Sequence, residues 1–372
     1  MKNLDYGLFY RCVRCGTCKL LNGIYLPSCP AGDLFGFENY YASGKVWIGR
    51  GVIEGSIDIK DEAIRKTIFS CTTCGNCTIQ CPLSHGKHLL EMYEYLRSQV
   101  IKNSSPLKPH NEVLKNIKNY HNPYGEPKRK KGEWLKEISV PNKGDVLYFA
   151  GCTSPLTSFL KKIPVFTAEI LKTTLGNFKT LGEEEICCGS IVLRIGDLET
   201  FSEIARKNVE IFKKLGIRKI VTTCAGCYKT LKFDYPRFVH FPFEVLHTIE
   251  VLNKHIKKFK RKNVLVTYHD PCHLGRQGGL IEEPRIILNS VASFVEMPRH
   301  GINSFCCGAG GGVRIAFPDF ALKTAKKRIK EAEGTGAEFL ITSCPFCSQN
   351  LSPVSSDTSI KVMELVEFLF SD

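Results

Sequence analysis

The sequence predicts a mixed α+β/α/β protein: a helical amino-terminal domain followed by two copies of one α/β domain with a mainly parallel sheet. Three observations predict it. Eight cysteines fall between Cys12 and Cys81, none follows until Cys152, and ten more run to Cys347. Beyond the gap the chain repeats itself. Cys152 to Cys272, Cys224 to Cys344 and Cys227 to Cys347 are each steps of 120 residues, and Cys187 to Cys306 is a step of 119. Ile186-Cys187-Cys188-Gly189 is answered by Phe305-Cys306-Cys307-Gly308, so the second half holds two copies of one unit. Within each copy, β-rich runs at 146–150, 219–223, 264–268 and 338–343 lead into cysteines, with helix-like stretches such as 198–215 and 320–333 between them. Strands alternating with helices imply a parallel sheet covered by helices, whose functional groups lie just past the carboxyl ends of the strands.

Composition narrows the chemistry of those cysteines. A chain of 372 residues, 43% hydrophobic, buries enough core to fold without disulfide staples. No apolar stretch of signal-peptide length precedes Cys12, so a reducing, cytoplasmic setting is expected, where clustered thiols bind metal or do redox work. No apolar run reaches the roughly 18 residues of a spanning helix, and any membrane contact is expected to be peripheral, on the cytoplasmic face, through a partner. The net charge of +14 comes from scattered basic residues. Small clusters at 128–131 and 257–262 lie on no nucleic-acid module and read as solvated faces, so no nucleic-acid partner is expected.

Residues 1–100 form the first expected domain. Cys71-Thr72-Thr73-Cys74-Gly75-Asn76-Cys77-Thr78-Ile79-Gln80-Cys81-Pro82 is the C-x2-C-x2-C-x3-C-P run of bacterial-type ferredoxins. In that run three thiolates hold three corners of one 4Fe-4S cubane and the fourth cysteine completes a second. The second set starts at Cys12-Val13-Arg14-Cys15-Gly16-Thr17-Cys18 and ends at Cys29-Pro30, after ten intervening residues instead of three. The expected grouping is Cys12, Cys15, Cys18 and Cys81 on one cubane, and Cys71, Cys74, Cys77 and Cys29 on the other. Structural zinc takes ligands in two pairs and leaves the third cysteine of each triplet unexplained.

Residues 101–143, rich in Ser, Pro and Lys around a short helical pattern at 111–119, read as a connector. The copies then span 144–260 and 261–372. Each supplies five cysteines: Cys152, Cys187, Cys188, Cys224 and Cys227 in the first, and Cys272, Cys306, Cys307, Cys344 and Cys347 in the second. Five exceeds what a cubane or a zinc ion uses, and an adjacent pair suits bridged metals better than one ion. Gly189 and Gly308 let backbone approach an inorganic core, and 308–312 reads as close packing rather than a phosphate loop. The apolar stretch 362–370 is expected to be a last core helix, with docking to a membrane protein as its other use.

At these residues the sequence resembles the D-type subunits of the heterodisulfide reductase family, in which a two-cubane ferredoxin-like domain is fused to two cysteine-rich repeats. The resemblance covers nearly the whole chain. It implies a noncubane 4Fe-4S cluster in each complete repeat, the pair facing each other where a small-molecule disulfide is reduced or two thiols are oxidised. It implies as partner either a membrane cytochrome b-type subunit or a flavoprotein dehydrogenase. Related iron-sulfur subunits of lactate or glycolate oxidoreductases and thiol:fumarate reductase share the plan but often lack ligands in one repeat, so a noncatalytic relay remains the second reading. Opening a disulfide takes two electrons and leaves thiolates that need protons. His269, Asp270 and His273 are the candidates to move those protons, or to bond cluster sulfur or cap the next helix. Arg194 and Arg314 follow the paired cysteines in both copies and are candidates to receive an anionic substrate group or to offset cluster charge.

Overall fold

In the amino-terminal part of the computed structural model, which describes residues 4–371 and leaves 1–3 and 372 outside, three helices carry the core: Ala42–Ile53, Glu62–Phe69 and Leu89–Asn103. The last buries Leu89, Met92, Tyr93, Leu96, Arg97 and Val100, the i, i+3, i+4, i+7 stripe of an amphipathic helix. Asp61 caps the middle helix by accepting from the amides of Ala63 and Ile64, which satisfies two of its free N–H groups. Around this core the cysteine loops are short turns, and an isolated bridge, Leu20 to Pro27, is the β-pairing among the described residues here.

The connector is a working part of the fold and not a spacer. Its helix runs Lys108–Tyr120, with Pro109 in the first turn, where the missing N–H costs nothing. His110, Val113 and Ile117 face inward, and His110 Nε2 lies 3.0 Å from the carbonyl of Gly312 in the second copy.

Each copy holds a four-stranded, all-parallel sheet. In the first, β1 (Val146–Tyr148), β2 (Lys179–Thr180), β3 (Lys219–Thr222) and β4 (Glu244–His247) are ordered β2-β1-β3-β4. In the second, β5 (Leu265–His269), β6 (Ser293–Phe294), β7 (Phe339–Thr342) and β8 (Lys361–Glu364) are ordered β6-β5-β7-β8. The chain leaves β1 toward β2 on one side and returns to β3 on the other, and β5 to β7 does the same. A crevice therefore opens at the carboxyl ends of the central strands. The interior strands are buried almost throughout (Ile220, Val221, Leu340 and Ile341 are fully buried), as a sheet covered on both faces requires.

Two sequence expectations need correction. Four strands lie outside the β-rich runs marked in the sequence: β2 and β6 have two residues each, and β4 and β8 are edges with exposed ends. The stretch 362–370 is not one helix. Lys361–Glu364 is β8, and the helix is Leu365–Phe370, closed by a capping box between Glu364 and Glu367. Its Leu365, Val366, Phe368 and Leu369 are buried and Phe370 stacks on Phe166 of the first copy, so its apolar face is already covered within the chain.

Candidate metal centres

The turns that carry the amino-terminal cysteines are set by glycine. Gly16 and Gly75 lie in the left-handed region, at φ of 80° and 76°, where a side chain is strained, and each reverses the chain inside a C-x2-C-x2-C run. Cys12, Cys15, Cys18 and Cys81 line one small hollow, with Ser43, Val46 and His85. Cys29, Cys71, Cys74 and Cys77 line a second, with Pro30, Lys45 and Tyr93. These are the two sets of four named from the spacing, Cys29 included. Each hollow presents four sulfurs and no carboxylate, and the Thr73 amide points at Cys71 Sγ, 3.4 Å away. Such a donor set fits iron-sulfur clusters.

In the copies the five cysteines gather at the strand ends. Cys152 follows β1, Cys224 caps the helix Ala225–Lys229 that follows β3, and Cys227 lies within that helix. Gly189, at φ of 80°, turns the chain after Cys187 and Cys188 and starts the helix Ser190–Ile195. The second copy repeats this with Cys272 after β5, Gly308 at φ of 94°, and Cys344 capping the helix Pro345–Leu351 that holds Cys347. In both, the amide after the pair donates to the first paired sulfur, Gly189 to Cys187 and Gly308 to Cys306, each at 3.4 Å.

The thiols neighbour one another in sequence, each close enough to shift the next one's titration. In the first copy Cys152 meets Cys187, Cys187 meets Cys188, Cys188 meets Cys227, and Cys227 meets Cys224. The second copy runs Cys272, Cys306, Cys307, Cys347, Cys344 in the same way. Cys224 and Cys344 join the two runs across the domain boundary, and Cys74 of the amino-terminal domain neighbours Cys306. All ten sulfurs of the copies border one cavity of about 530 Å³, together with Glu112, Asn116, Tyr124, Arg194, His273 and Arg314. Thiols alone cannot satisfy so dense a buried array, whereas metal-sulfur cores bonded to thiolates do.

The proposed acid-base and anion-binding side chains fare unequally. His273 lines the cavity with a buried Nε2 that has no partner among the described residues. Burial, then the charges of Arg194 and Lys229, lowers its pKa to about 3, so the ring is neutral at pH 7. Arg314 also lines the cavity; its Nε donates to Asn350 Oδ1 at 3.2 Å, and no carboxylate among the described residues pairs with it. His269 ends β5 and accepts from Arg328 through Nδ1 at 3.1 Å. Asp270 requires correction as a proton carrier: both its oxygens are taken by Arg285, at 2.8 and 3.1 Å, and one also by the Gly301 amide. Arg194 requires correction as an anion receiver, because its guanidinium is bonded to Glu94 and to Asp234, the latter at 2.8 Å. Burial pushes the Asp234 carboxyl up, but Arg194, Lys229 and Arg237 outweigh it and hold its pKa down at about 2.

Sequence reasoning missed the contribution of residues 101–143. Tyr124, whose hydroxyl donates to Thr153 at 3.0 Å, walls the cavity. Lys131, placed with the solvated basic cluster, is 3% exposed and donates to Cys152 Sγ at 3.5 Å and to the Glu185 carbonyl at 2.8 Å. No periodicity marks either residue.

Four-sulfur hollows in a helical domain, leading to paired five-sulfur sites at the switch points of two parallel sheets, define an iron-sulfur oxidoreductase component. Residues 9–84 match the 4Fe-4S dicluster domain family, and residues 146–232 and 266–352 each match the cysteine-rich domain family. The chain is 36% identical to the D-type subunit of dihydromethanophenazine:CoB–CoM heterodisulfide reductase from Methanosarcina mazei, over 96% of this chain and 91% of the relative. The B-type subunit of fumarate reductase (CoM/CoB) from Methanothermobacter marburgensis is 31% identical over 96% of this chain and 71% of its own. EtfAB:quinone oxidoreductase of Syntrophomonas wolfei is 29% identical over 82% and 46% respectively. The chain belongs to the heterodisulfide reductase family, among its D-type subunits. Its relatives are subunits of larger oxidoreductases, and no helix among the described residues is long and apolar enough to cross a membrane.

Proposed function

We propose that this protein reduces a small-molecule disulfide, or oxidises two thiols, at the paired five-cysteine sites. The observation that carries the reading is the single cavity that all ten cysteines of the two copies border, with Cys74 of the inner four-sulfur set next to Cys306. When bound, the clusters supply the two electrons one at a time. Cys12, Cys15, Cys18 and Cys81 hold the outer cubane, and Cys29, Cys71, Cys74 and Cys77 the inner one. Each set of five holds a noncubane cluster. The units behind these sites are 1–100, 101–143, 144–260 and 261–372.

A disulfide, two electrons and two protons become two thiols. His273, neutral and buried in the cavity with a free ring nitrogen, hydrogen-bonds the departing sulfur, which takes its proton from solvent. Arg314 holds an anionic group of the substrate, since Arg194 is already paired. Electrons enter where the outer set is exposed. Cys15 is exposed, and the same amino-terminal segment carries exposed Val13 and Tyr25, at 69% and 78%, apolar surface suited to a cytochrome b-type or flavoprotein partner on the cytoplasmic side. The test is iron content of anaerobically purified protein, with electron paramagnetic resonance after oxidation in the presence of thiols and turnover of a disulfide with reduced viologen. About sixteen irons, a thiol-dependent signal and turnover are expected. About eight irons without that signal would sink the reading and leave a relay.

A further inference from the structure

We propose that Lys131 and His269 are positioning residues that make the two five-cysteine sites unequal, by giving the first a cationic hydrogen-bond donor and the second a neutral one. The proposal rests on the cluster assignments above.

Aligning Cys152 with Cys272 sets Phe149 of the first copy opposite His269 of the second. Phe149 is plain core, whereas a ring nitrogen of His269 lies within 4.8 Å of the sulfurs of Cys307 and Cys347. Which nitrogen faces them, and in which state, is fixed from behind. Arg328 is fully buried and held by the Arg299 carbonyl at 2.8 Å and the Glu331 carboxylate at 2.7 Å, and its Nε points at His269 Nδ1. A guanidinium only donates, so Nδ1 bears no proton and the neutral ring carries its hydrogen on Nε2. The nitrogen left for the thiolates is therefore an N–H donor and not a lone pair. The same geometry argues against His269 as a sixth ligand.

The first copy obtains its donor from outside the repeat. Lys131 reaches Cys152 Sγ from the connector, and its ammonium also lies 3.1 Å from the Glu185 carboxylate. Glu185 is itself pinned by the amides of Ala150 and Gly151, at 2.9 Å each. The connector has no second copy, and the residue that answers Glu185, two before the paired cysteines, is Ser304. Cys272 instead neighbours Cys306, the sulfur next to Cys74.

Hydrogen bonds to cluster sulfur favour the reduced, more negative state and raise its potential. A charged donor does this more strongly than a neutral one; Glu185 offsets part of the lysine charge but leaves the N–H···S bond directed at Cys152. The site in contact with the amino-terminal domain is thus the weaker electron acceptor, and the remote one the stronger. The first electron moves on to the first copy and leaves the second copy free to take the next. Both sites are then loaded before a disulfide is opened.

The test is an anaerobic redox titration of the intact holoprotein followed by electron paramagnetic resonance, with iron counted for every variant. Lys131→Met is expected to lower the potential of one noncubane signal and leave the other centres unmoved, with Lys131→Arg restoring it. His269→Phe, which gives the second copy the residue of the first, is expected to lower the other signal alone. A shift of both signals together, or of neither, at unchanged iron content would overturn the proposal. So would loss of about four irons in His269→Phe, which would make the ring a ligand. Lys131→Met leaves Glu185 unpaired, so Lys131→Met with Glu185→Gln is the companion variant, and iron loss in both would also overturn it. Wild-type iron near eight instead of sixteen would mark failure of the assigned function rather than of this asymmetry.

Discussion

At the residue scale, Arg194 and Arg314 occupy related places after the paired cysteines but differ in what they touch. Arg194 is 3% exposed and joins Glu94 of the amino-terminal domain to Asp234 of the first copy, and Lys229 and Arg237 complete the network. Removing one member of a buried pair strands the others at about 3–5 kcal/mol. Arg194→Met is therefore expected to lose stability on that scale in denaturant titration, before any change in substrate affinity is resolved. Arg314 has neutral partners among the described residues. Arg314→Gln is expected to raise KM for an anionic disulfide about ten- to hundredfold, as loss of a charged hydrogen bond of about 1.5–3 kcal/mol implies, with kcat little changed. Steady-state kinetics with anionic and uncharged disulfides checks it, since the uncharged one should show no effect. Cysteine spacing named the sulfurs because the C-x2-C-x2-C triplets and a pattern repeated every 120 residues are visible along the chain. The opposite fates of the arginines were illegible, because Glu94 lies 100 residues from Arg194 and no local pattern joins them.

Among the elements, the strands entering the cysteines were legible because β-branched residues stop at a cysteine, as in Val221-Thr222-Thr223-Cys224. The edge strands were not, since two residues such as Lys179–Thr180 carry no period. Residues 362–370 misled for a related reason: an apolar run satisfies a buried strand and a buried helix alike, and only the Glu364–Glu367 box marks where one becomes the other. That box makes a pH prediction. Burial pushes the Glu367 carboxyl up to about 7, above its ordinary value near 4.3. The folded state then holds a proton that the unfolded chain has released, so stability falls as pH rises from about 4.3 toward 7 and levels off beyond it. Glu367→Gln is expected to flatten that slope and to raise the melting temperature at pH 8 relative to wild type. Thermal unfolding across this pH range, with the cluster absorbance watched for loss of iron, checks the expectation. An unchanged slope would place the titration elsewhere.

For the whole molecule, the question is what holds the inner four-cysteine hollow against the second copy so that Cys74 neighbours Cys306. Two contacts converge there. Gly311 lies against the Cys71 carbonyl so closely that a Cβ would collide with it, which explains a glycine run the sequence could mark only as close packing. Behind it sits Arg97, fully buried, which donates to the carbonyls of Ile68 and Cys71 in the amino-terminal domain, Arg194 in the first copy and Gly311 in the second. One guanidinium thus satisfies carbonyls from three units that no β-pairing among the described residues connects. Burial makes its charge costly, and the pKa falls to about 10, still high enough to keep the cation at pH 7. Those carbonyls have no water to turn to if the donor is lost. Arg97→Met, which keeps the length of the side chain and removes every donor, is expected to split a single unfolding transition into two in anaerobic calorimetry, the amino-terminal domain melting first. Electron transfer should suffer before either transition is reached, because the inner cubane is then no longer fixed against Cys306. The variant should reduce its cubanes at the wild-type rate with an outside donor while disulfide turnover falls. Retention of one cooperative transition and of full turnover would show that the Gly311 contact suffices alone.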